Sequence, residues 1–147
     1  MIGKSVRMRL LLILLFGLSL VACSQQNAAQ PPAPEVVLQA IPAADSAKIE
    51  RIHDMKTWRN PYLIVRSDGV ALLDVADSAE IRLEPAELLP ALAALPAANW
   101  PYGRVVAAAA NSAKASEQDS VAIRRYKGIV GGILEGAHIA VKWVPSA

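Results

Sequence analysis

Cysteine, aromatic rings and charge are all scarce in this chain of 147 residues. A single cysteine excludes an internal disulfide framework and a cysteine-based zinc site. Aromatic residues make up 5% of the chain, so a core must be built mainly from Leu, Ile, Val and Ala. Charged residues make up 19%, and neither sign dominates. The length suits one modest domain with accessory segments and excludes a large multidomain enzyme.

Signature catalytic patterns are missing too. The sequence has no GxSxG, SxxK or HExxH pattern and no phosphate loop. Gly128-x-x-Gly131-Gly132 falls inside a helical pattern with no strand before it, so it is not a dinucleotide fingerprint. Asp68, Asp74, Asp77 and Glu80 lack the glycine and spacing of a calcium loop. His53 and His138 have no nucleophile partner in view and read as surface or structural residues. No catalytic residue, metal ligand or cofactor is assigned.

What is present begins at the N-terminus. Lys4, Arg7 and Arg9 precede an uncharged, Leu-rich run from Leu10 to Ala22. That run is shorter than the ~20 residues a bilayer span needs, and a basic stretch before a short apolar one is the layout of a secretory signal. It ends Leu20-Val21-Ala22-Cys23, which resembles the lipobox of bacterial lipoproteins. The resemblance implies a diacylglycerol thioether on Cys23, cleavage before Cys23 and acylation of the new amino group, with palmitate among the chains. Several acyl chains, at ~0.8 kcal/mol per buried methylene, hold a protein on a membrane where one chain does not. Ser24 at the next position implies, in that family, the outer membrane rather than the inner.

Cleavage changes the charge. Taking Lys4, Arg7 and Arg9 from the 15 basic residues leaves 12, against 13 acidic ones. The mature chain then sits near −1, with no basic stripe for nucleic acid.

Residues 1–22 are thus expected to be a signal peptide, and residues 23–42 a Pro-, Ala- and Gln-rich tether stiffened by Pro31, Pro32 and Pro34. A small globular domain is expected over residues 43–147. A short helix is expected over Asp45–Lys56. A hairpin is expected from Tyr62–Val65 through Ser67-Asp68-Gly69 to Val70–Val75. Glu80–Leu83 either extends the sheet or leads into the next helix. Pro85 suits a helix start, and Leu88, Leu92 and Leu95 form one stripe; Pro90 should kink this helix or move its start later. Arg104–Ala109 is apolar on both faces and reads as a buried central strand.

Ser116-x-x-Asp119 resembles a capping box for a helix over about Asp119–Glu135. The glycines inside that helix predict close approach to a sheet, because each costs roughly 1 kcal/mol relative to Ala. Gly136 suits a C-cap, and His138–Val144 closes the fold as a strand. The expected class is α+β: a two-layer sandwich of order β-β-α-β-α-β.

This order, over about residues 62–144, resembles the periplasmic domain of ExbD/TolR-type biopolymer-transport proteins. The matching pieces are Val65–Gly69, Glu87–Leu95, Val105–Ser112 and Arg125–Gly136 with the strand that follows. The resemblance implies an interaction and peptidoglycan-facing module, often dimeric. Ion-coupled activity does not transfer, because Leu10–Ala22 carries no acid.

Trp58, Tyr62, Trp100 and Tyr102 flank Pro or Gly at two corners and are the candidate ligand-binding side chains; the alternative is that they plug an Ala-rich core. The sequence therefore points to a lipid-anchored, periplasm-facing envelope protein without enzymatic activity. Its expected partners are the membrane and an envelope protein or peptidoglycan. A small hydrolase with an unrecognised site and a folded spacer are the alternatives.

Overall fold

Tyr62–Arg66 (β1) and Gly69–Leu73 (β2) pair antiparallel, with Arg66 opposite Gly69 and Tyr62 opposite Leu73. The two-residue loop Ser67–Asp68 fixes that register, and Gly69 (φ 142°) takes the backbone angle that the tight return requires. A computed structural model describes residues 30–74, 78–112 and 114–145. Cys23, the leader, the first part of the tether and Val75, where β2 was expected to end, lie outside these residues.

Glu80–Leu83 (β3) does extend the sheet, antiparallel to β2. Val105–Ala110 (β4) lies parallel to β1 on its other side, and Ala140–Val144 (β5) lies parallel to β4. The sheet order is β3-β2-β1-β4-β5. The central strand β4 is buried on both faces, as its unbroken apolar run requires.

Among the described residues four α-helices accompany the strands. Pro34–Gln39 (α1) and Ser46–Glu50 (α2) precede the sheet. Leu88–Ala93 (α3) follows β3, and Glu117–Gly136 (α4) connects β4 to β5. The chain is therefore α+β, with helices layered on a mixed sheet. Leu63, Val65, Val70, Leu72, Val106 and Ala108 point to one face. Leu38 of α1, Leu88 and Leu92 of α3, and Ile123, Val130 and Leu134 of α4 cover that face. On the other face Trp58, Val105 and Ala107 pack with Ile49, Ile52 and Met55 from the segment before β1.

Local chemistry sets the element ends. The Asp45 carboxylate accepts from Lys48 N–H at 3.2 Å and starts α2, and the Asp54 carboxylate accepts from Lys56 N–H at 2.9 Å and starts a 3-10 turn. The single helix expected over Asp45–Lys56 is thus two short turns. Of the two effects expected of Pro90, the later start is the one observed: α3 begins at Leu88 and not at Pro85. A 3-10 turn over Pro85–Glu87 precedes the helix, so Pro90 falls in the first α-turn, where its missing N–H costs nothing. Ser116 Oγ accepts from Asp119 N–H at 3.1 Å, so the expected cap starts α4.

The tether expected over residues 23–42 is shorter than the composition suggests. Pro34 sits at the first turn of α1, and Leu38 is fully buried against the core. Residues from Pro32 onward belong to one compact unit. A single apolar anchor in a Pro-rich stretch is enough to dock it, because burying a Leu side chain contributes roughly 2 kcal/mol.

The α4 glycines also differ from expectation. Nothing lies within 4 Å of a Cβ built on Gly128, Gly131, Gly132 or Gly136. The sheet does not need them small. Gly103 is the glycine that the packing requires: its φ is 77°, and a Cβ there would sit 2.2 Å from the Ala43 carbonyl oxygen.

The C-terminal cap falls one step later than Gly136. Ile139 N–H donates to Leu134 O, and His138 N–H donates to Glu135 O, each at 2.9 Å. This is a Schellman arrangement with His138, at φ 57°, in the left-handed position that glycine usually fills.

Candidate functional site

The four aromatic candidates do not share a surface. Trp58 and Trp100 are buried, at 5% and 4% exposure. Trp100 lies in the helix-covered core, whereas Trp58, Tyr62 and Tyr102 belong to the cluster on the other face. Trp58 and Tyr102 touch at 5.2 Å between ring centroids, and Trp58 Nε1 donates to Pro61 O at 3.2 Å. Tyr62 and Tyr102 are half-buried, and burial pushes the Tyr62 hydroxyl pKa up. Both tryptophans act as large packing groups among small side chains. For the two tryptophans this is the core-plugging alternative that the sequence offered.

Beneath them lies the polar knot that holds the corner. Asn60 is fully buried. Its Nδ2 donates to Gly103 O and Val105 O, both at 2.7 Å, and its Oδ1 accepts from Tyr102 N–H at 3.0 Å. Arg104 N–H donates to Pro42 O at 2.8 Å, which ties the incoming chain over Gly103. Asn60 fills a structural place, not a ligand site.

The concave polar surface lies elsewhere, at the carboxyl ends of β1 and β4. These neighbouring parallel strands send their connections in opposite directions, β1 toward β2 and β4 toward β5. A crevice opens where such connections diverge, and ligands of open sheets commonly bind there. Here it is a shallow cleft of about 350 Å³, lined by Arg66, Ser67 and Asp68 from the hairpin, Asn111 and Lys114 from the loop, and Asp119 from α4. Reading residues in sequence order hides this cleft, because the parallel pairing of β1 with β4 creates it.

Arg66, Asp68 and Asp119 of the cleft are already engaged, and Lys114 is exposed. Arg66 forms a two-point ion pair with Glu80, reaching across β2, and one of its contacts is 2.8 Å. Arg66 thereby holds the Glu80 carboxyl below its usual range, and Glu80 raises the Arg66 pKa. Ala71 opposes Ile64 on β1 and Arg82 on β3, and its small side chain leaves room for that crossing. Asp68 pairs with Arg82. Hydroxyls of Ser116, first, and Ser67 hold the Asp119 carboxyl low. The Glu80 and Asp119 carboxyls are held below their ordinary range, whereas a general acid or base needs a pKa near the working pH. The cleft therefore offers fixed acceptors, an amide and an exposed lysine: features of polar recognition.

His53 and His138 are both exposed and sit on separate segments. His138 occupies the backbone position described above, so its structural role is in the helix cap. Among the described residues no group of three His, Cys, Asp or Glu side chains is placed to hold a metal, and no helix there is long and apolar enough to cross a membrane. Comparison with protein-family models, with curated proteins and with solved structures finds no significant match to this chain.

Proposed function

We propose that this chain is a lipid-anchored protein of the bacterial envelope whose domain is a binding module without catalytic activity. The observation that carries the reading is the lone cysteine, Cys23, at the position a lipobox requires, directly after a basic and then apolar leader. Diacylglycerol on Cys23 and cleavage before it would leave about ten residues ahead of Pro34. At ~3.3 Å per residue, these hold the domain within a few tens of Å of the leaflet. The cleft at the ends of β1 and β4 is the recognition surface in this reading, with an envelope protein or peptidoglycan as the partner and the outer membrane as the address. The likeness to ExbD/TolR-type periplasmic domains enters as a likeness of layout alone.

A folded spacer is the second reading, and burial of Trp58 and Trp100 favours it. Labelling cells with radioactive palmitate tests the anchor. The chain takes up label and partitions with membranes, and Cys23→Ser does neither. A Cys23→Ser chain that partitions as the parent does would overturn the proposal. Substituting Asn111 and Lys114 separates the two readings: a binding module loses its in-cell partner cross-link, and a spacer loses nothing.

A further inference from the structure

The end of the sheet opposite the cleft holds a second hollow. There β1 begins, β2 ends and β3 begins, with Tyr62 opposite Leu73 and Leu73 opposite Glu80. α3 stops at Ala93, and a 3-10 turn over Ala97–Asn99 follows it. A narrow pocket of about 60 Å³ lies between the strand ends and this turn.

Its floor is aliphatic. Leu72 and Ile81 are direct partners across β2 and β3, and Leu95 lines the side next to α3. Leu72 is 4% exposed and belongs to the core, whereas Ile81 on the same face is 50% exposed. The helical layer thus leaves the outer member of the pair uncovered where it borders the pocket.

The rim is polar, formed by Arg59, Asn99 and Asp74. Arg59 is exposed, and among the described residues its guanidinium has no hydrogen bond or ion pair. The Asn99 side-chain amide has none either; its backbone N–H donates to Pro96 O at 2.9 Å. Asp74 has partners within the chain, and a carboxylate offers about four acceptor sites, so it can take a further donor.

One ligand class answers all of these groups. A guanidinium fork and an amide match a carboxylate, a carboxylate matches an ammonium, and an aliphatic floor matches a short hydrocarbon branch. An α-amino acid carries all three on one carbon. A cavity of about 150 Å³ accepts benzene, so this smaller one admits a group of about three carbons.

We propose that this pocket binds a free α-amino acid with a small aliphatic side chain, of valine size. Its carboxylate accepts from the Arg59 guanidinium and the Asn99 amide. Its ammonium donates to the Asp74 carboxylate, and its side chain lies on Leu72, Ile81 and Leu95. The site is separate from the cleft at the carboxyl ends of β1 and β4 and does not depend on what that cleft binds.

Ligand-observed NMR titration of the full-length chain, solubilised from membranes, tests the proposal. L-Valine should bind with a Kd of about 0.1–1 mM, as suits so small a ligand at an open rim. L-Valinamide lacks the carboxylate, N-acetyl-L-valine lacks the ammonium, and glycine lacks the side chain; each should bind about tenfold more weakly or worse. Arg59→Ala should lower the affinity for valine about tenfold or more, through loss of a charge-assisted pair. Arg51→Ala, at an exposed arginine that does not line the pocket, should bind valine as the parent does. The proposal is overturned if the parent, with native circular dichroism, binds no valine at about 10 mM. It is equally overturned if Arg59→Ala binds valine as the parent does, if Arg51→Ala loses as much as Arg59→Ala, or if valinamide, N-acetylvaline or glycine matches valine.

Discussion

The side-chain amide of Asn60 donates to the Val105 carbonyl oxygen at 2.7 Å, joining the turn before β1 to the start of β4. With its bonds to Gly103 and Tyr102, this one buried side chain satisfies three backbone groups. Asn60→Ala removes all three bonds, although the Gly103 carbonyl keeps the Val105 N–H at 2.8 Å. The expected cost is about 2–3 kcal/mol of unfolding free energy, read as a lower midpoint in urea. Asn60→Asp should be no milder, because a carboxylate cannot donate to the two carbonyls. A change under about 0.5 kcal/mol would show that solvent replaces Asn60 freely.

Leu38 decides where the tether ends. It is fully buried from a helix of six residues. Leu38→Ala should cost about 2–4 kcal/mol by loss of buried surface and creation of a cavity. Neighbouring Val36, at 61% exposure, should tolerate alanine within about 0.5 kcal/mol. Equal, negligible effects at both positions would return α1 to the tether.

His138 stands in a left-handed conformation that side chains generally disfavour. His138→Gly should stabilise the protein, by up to about 1 kcal/mol, with the slope of the urea transition unchanged. A catalytic histidine predicts a different outcome, loss of activity, so the same variant separates the structural role from the chemical one.

Much of the architecture was legible because local signals agreed with tertiary need. The β1–β2 hairpin, the buried run of β4 and the Ser116 cap all follow from residues adjacent in sequence. The readings that failed depended on distant contacts. Leu38 lies among prolines, and only its packing shows that it is an anchor. The α4 glycines suggested a helix pressed on a sheet, yet their Cβ positions face open space. The polar cleft needs the pairing of β1 with β4, which residues 62–65 and 107–110 do not announce in their own sequence.

Acid should weaken the fold through particular carboxylates. Arg66 holds Glu80 below its ordinary value of 4.5, and the Ser116 and Ser67 hydroxyls hold Asp119 below 3.8. A depressed folded-state pKa contributes stability that is complete above the unfolded value and lost as pH falls through the folded one. Stability should therefore drop from about pH 5 downward, and Glu80→Gln should show a shallower drop than the parent. The Arg66–Glu80 pair is partly exposed to water, so the difference should also shrink in high salt. Parallel pH profiles for the parent and Glu80→Gln would contradict the ion pair's role.

The lipid anchor is the claim on which address and role depend, and the intact mass of the chain extracted from membranes tests it most directly. The account predicts a polypeptide beginning at Cys23, heavier than residues 23–147 by a diacylglyceryl group and an amide-linked acyl chain. A mass equal to the unmodified chain from Met1, or to a cleaved chain without lipid, would contradict it.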